Sequence, residues 1–97
     1  MQYPNLHDLF GAYFHQDCFD DSPTATAVVE LYVSESPNDE VRAAAQELRD
    51  LISRTGSEAE LAATVADLGC YYLPTADRLT TRAWLDEVVR ILDGKER

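Results

Sequence analysis

The sequence predicts an all-α fold, a single compact bundle of about five short helices over residues 1–97. Three observations carry that expectation. Apolar residues recur at helical spacing along most of the chain. Start and stop residues bracket each periodic stretch. No alternating apolar–polar run calls for a paired strand.

The elements follow in order. Tyr3-Pro4 or Asn5 opens the first stretch. Leu6, Leu9, Phe10, Tyr13 and Phe14 then form one apolar stripe, which ends in the polar cluster Gln16-Asp17 and Asp20-Asp21. Ser22-Pro23 reads as an N-cap with proline in the first helical position. The stretch to Glu35 holds Thr24, Thr26, Val28, Val29, Tyr32 and Val33, all with β propensity. The start signal and the spacing of Ala25, Val28, Val29 and Tyr32 favour a helix. Ser36-Pro37 repeats the start, with Asp39 and Glu40 in the first turn, where the helix dipole favours acids. Val41, Ala44, Ala45, Leu48, Leu51 and Ile52 make the longest stripe, with Gly56 suited to the C′ position. Ser57-Glu58-Ala59-Glu60 is a capping box before Leu61, Val65 and Leu68, and Gly69 stops that helix. Residues 74–79 are a loop after Pro74. Thr80 or Thr81 caps the last helix, whose face is Trp84, Leu85, Val88, Ile91 and Leu92, and Gly94 ends it.

Ninety-seven residues suit one domain, able to bury roughly 60–70% of its unfolded surface. The 45% apolar share is too high for a disordered acidic tail. Eighteen acids against eight bases give a net charge of −10, which repels nucleic acid and anionic membrane. The charge is lopsided. Residues 1–41 hold Asp8, Asp17, Asp20, Asp21, Glu30, Glu35, Asp39 and Glu40 and no Lys or Arg, so they carry −8 of the −10. Such a field serves as a steering surface for a basic partner or simply as a solvated face. No apolar run reaches the roughly 18 residues of a membrane span. No secretory signal follows Met1, so a cytoplasmic location is expected. There Cys18 and Cys70 would stay reduced, and they lack metal-site spacing.

Nucleotide, zinc-protease and serine-hydrolase signatures are absent, and the four glycines are scattered. No catalytic residue, cofactor or metal is assigned. His15, Asp17, Asp20 and Asp21 crowd together but do not fit the EF-hand pattern, since position 19 is Phe and position 22 is Ser. They leave a small metal-dependent hydrolase open as one alternative function, and a general acidic interaction adaptor as another.

Two segments then stand out together. One is Leu9-Phe10-Gly11-Ala12-Tyr13-Phe14-His15-Gln16-Asp17. The other is Gly69-Cys70-Tyr71-Tyr72 with Pro74, followed by Trp84-Leu85. The combination, from Leu9 to Leu92, resembles the small helical CdiI-type immunity proteins of bacterial contact-dependent growth inhibition. One departure is Cys18-Phe19, where the family pattern usually places Trp directly after the Asp. The resemblance implies a cytosolic, non-catalytic antidote that binds the C-terminal toxin domain of a CdiA-type protein. Many such toxins are nucleases with basic substrate surfaces, and the acidic N-terminal half agrees with such a partner.

On that basis the toxin-contact candidates are Asp17, Asp20, Asp21, Glu30, Tyr71 and Tyr72. Tyr71 and Tyr72 follow a helix stop, where tyrosine offers large contact area at low entropy cost. Their other role is to plug the gap between the last two helices. Tyr13, Phe14, His15 and Trp84 form a structural motif, the aromatics as core and His15 with Asp17 as a backbone-satisfying pair. Asp20 and Asp21 are expected to be solvated. Reversing both, Asp20→Lys with Asp21→Lys, should slow toxin association and flatten its salt dependence while leaving folding nearly unchanged. Stopped-flow association rates across a salt series check this.

Overall fold

Pro4 is the first residue of the first helix, where its missing N–H leaves no bond unmade. A computed structural model of the chain describes residues 3–14, 24–70, 72 and 78–94. Among the described residues every regular element is helical. α1, Pro4–Asp8, passes directly into a π-helical segment, Leu9–Tyr13. α2 is Ala25–Glu35, α3 Asn38–Arg54, α4 Glu58–Asp67 and α5 Thr81–Gly94. No helix among the described residues is long and apolar enough to cross a membrane.

The first stripe buries Leu6, Leu9, Phe10 and Phe14 as expected, while Tyr13 is half-buried. Its second half is wound wider than an α-helix. Such π turns occur within α-helices where one residue more must be accommodated per turn. Here the wide turn contains Gly11, which lies against the end of α4.

α2 starts later than the Ser22-Pro23 signal suggested. Thr24 is the cap, its Oγ1 accepting the Ala27 N–H at 3.1 Å. Ser22 and Pro23 lie outside the described residues. Threonine in extended backbone is itself a good cap, so the nearer signal wins. Val28, Val29 and Tyr32 face the core, which overrides the local β propensity.

α3 also starts one residue later than expected. Pro37 is the N-cap rather than the first helical residue. Proline pushes the residue before it into extended backbone, and Ser36 sits at φ −110°, ψ 146°. Asp39 and Glu40 occupy the first turn and meet the dipole in place of a side-chain cap. At the far end the Thr55 N–H and hydroxyl both donate to the Leu51 carbonyl. Gly56 therefore stands in open space with no positive φ to supply.

α4 opens with Ser57 Oγ accepting the Glu60 N–H at 3.2 Å. Only this half of the capping box forms; the Glu60 side chain stays exposed. The helix closes on a Schellman turn: Cys70 N–H donates to the Val65 carbonyl, and Gly69 N–H to that of Ala66. Gly69 takes the left-handed position at φ +100°. A Cβ there would stand 2.9 Å from Gly11 Cα, so the two backbones touch.

Two carboxylates tie the chain's ends to its middle. Glu47 of α3 accepts the Asn5 and Leu6 N–H groups at the start of α1, and the Asn5 side-chain amide. Glu58 of α4 accepts the Thr81 and Arg82 N–H groups at the start of α5. Thr80 completes that end by accepting from Ala83 through its hydroxyl. The starts of α1 and α5 thus each meet an acid delivered from another helix, which satisfies orphan donors and complements the dipole together.

α3 packs most extensively on α5, α1 lies on α3, and α2 bridges the π segment and α5. The buried apolar side chains form one cluster. Its centre is aromatic. Trp84 meets Phe14 edge-on at 5.2 Å, Tyr72 at 4.9 Å and Phe10 at 5.9 Å between ring centroids.

Trp84 is 4% exposed, and Trp84→Ala should cost roughly 3–5 kcal/mol in denaturant unfolding. The Glu58 bonds predict an acid sensitivity. The Thr81 N–H and hydroxyl, and then the Arg82 N–H, hold its carboxyl below the ordinary 4.5. A lowered folded pKa stabilises above 4.5 and loses that contribution as pH falls through the folded value. The thermal midpoints of wild type and Glu58→Gln should therefore differ most near neutrality and converge in acid.

Candidate functional site

Tyr13, Tyr32 and Glu35 come together where the first helical stretch meets α2, and the charges of Asp8 and Glu40 act on both rings. α2 places Leu31 and Glu35 one turn apart, with Tyr32 between them in sequence. α1 ends at Asp8, the π segment ends at Tyr13, and the first turn of α3 holds Glu40. The Tyr13 hydroxyl donates to Glu35 Oε1 at 2.8 Å. Its ring meets that of Tyr32 edge-on, with centroids 5.3 Å apart at 86°. Leu31 beside them is 40% exposed, one of two large apolar side chains so exposed among the described residues.

The field at this face is negative. Burial raises the Tyr13 phenol, and the Glu35 hydrogen bond with the charges of Glu35, Asp8 and Glu40 raises it further. Burial, followed by the charges of Glu40, Asp8 and Glu47, pushes Tyr32 up to about 12. Both tyrosines are therefore neutral hydroxyls over the physiological range. Among the described residues, Asp8, Glu35 and Glu40 make no ion pair. Further along the chain the pattern differs: Asp50 pairs with Arg54, Glu87 with Arg90 and Asp93 with Arg49.

Tyr32 is only 2% exposed, and its hydroxyl has no hydrogen-bond partner among the described residues. No buried side-chain polar atom among the described residues lacks a partner. The face offers carboxylate acceptors, the half-buried Tyr13 ring and an apolar contact at Leu31. That chemistry suits an ammonium or guanidinium group, which carboxylates bind through charge-assisted bonds and tyrosine rings attract through their π faces.

Asp17, Asp20, Asp21, His15 and Tyr71 lie outside the described residues. Glu30 is exposed on α2, one position before Leu31. Tyr72, expected as a contact residue, is instead 7% exposed, its ring against Phe14 and Trp84. The Schellman turn redirects the chain inward, so this tyrosine fills the core rather than the surface. Phe14 and Trp84 are core as expected, whereas Tyr13 reaches the acidic face. Asp8, Tyr32, Glu35 and Glu40 were missed as a set, since up to 32 positions separate them. Their one sequence signal is that all lie in the stretch without Lys or Arg. Among the described residues no group of three or more His, Cys, Asp or Glu side chains could hold a metal ion.

A family model described as CdiI immunity protein matches residues 2–92. No curated protein and no solved structure matches the chain.

Proposed function

The chain belongs to the CdiI immunity protein family, and from that premise we propose that it binds and neutralises the C-terminal toxin domain of a contact-dependent growth inhibition system. The toxin domain of this reading is a basic nuclease, and the neutralisation is non-catalytic. The family match over residues 2–92 is the observation that carries the proposal. The charge distribution supports it. A nuclease must attract phosphate, so the surface around its active site is basic. A partner carrying −8 in its first 41 residues complements such a surface and speeds encounter by electrostatic steering. Binding over the active site or directly beside it would exclude the nucleic acid, because two anionic molecules would compete for one basic region.

Co-expression tests the reading. Cells making the toxin domain encoded beside this chain should survive when the chain is present and die when it is absent. Purified toxin should degrade nucleic acid, and one equivalent of the chain should stop it. Cell death despite co-expression, with no complex formed in vitro, would contradict the immunity role. Protection against a toxin that degrades no nucleic acid would remove only the nuclease assignment.

A further inference from the structure

We draw no further inference here: the strongest candidate, the exposed small-residue face of α4 made by Ala59, Ala62, Ala63 and Ala66, carries nothing because nothing in the structure shows what covers it.

Discussion

The contact between Gly11 and Gly69 is the constraint on which the rest of the structure depends. Gly69 must adopt φ +100° to close the Schellman turn, and its missing Cβ leaves room for Gly11 Cα. Gly11 in turn lies close to the Leu68 carbonyl, where a Cβ would reach 3.4 Å. With the backbones in contact, Phe10 and Phe14 on one side meet Trp84, and Tyr72 enters from just beyond the turn. Aromatic pairs at these separations add roughly 0.5–1.5 kcal/mol each beyond their buried area. The Glu47 and Glu58 caps then fasten α1 and α5 to helices already placed by this packing.

The helices were largely legible because their signals are local. The stripes of α3 and α5, the Ser57 and Thr80 caps and the Gly69 stop all act within about five residues. Start positions shifted by one or two where neighbouring signals competed, as at Thr24 and Pro37. The π turn was not legible, since the spacing of Leu6, Leu9, Phe10, Tyr13 and Phe14 fits an α-helix equally well. Glu47 and Glu58 were missed as caps because their partners stand 42 and 23 positions away. The same limit applies to the acidic face. The charge imbalance could be read from composition, but its convergence on Tyr13 and Tyr32 requires three helices to be assembled.

The residues that carry the family resemblance do a different job from those at the acidic face. Phe10, Gly11, Phe14, Gly69, Tyr72 and Trp84 hold the helices together. Asp8, Leu31, Tyr32, Glu35 and Glu40 fall outside the resembling segments. Tyr13 belongs to both, packing its ring on Tyr32 and lending its hydroxyl to Glu35. The resemblance therefore speaks first of the scaffold. The acidic face is built on that scaffold by side chains that contribute little to the core, apart from the Tyr32 ring.

The central claim is that the touching glycines set this arrangement, and denaturant unfolding of Gly69→Ala beside Gly56→Ala tests it most directly. A Cβ at position 56 meets nothing within 4 Å, so that variant isolates the general effect of adding a methyl group. The account predicts a loss of about 2 kcal/mol or more for Gly69→Ala, from positive φ and the clash together. It predicts that Gly56→Ala stays neutral or gains up to about 1 kcal/mol. Equal stability of the two variants would contradict it.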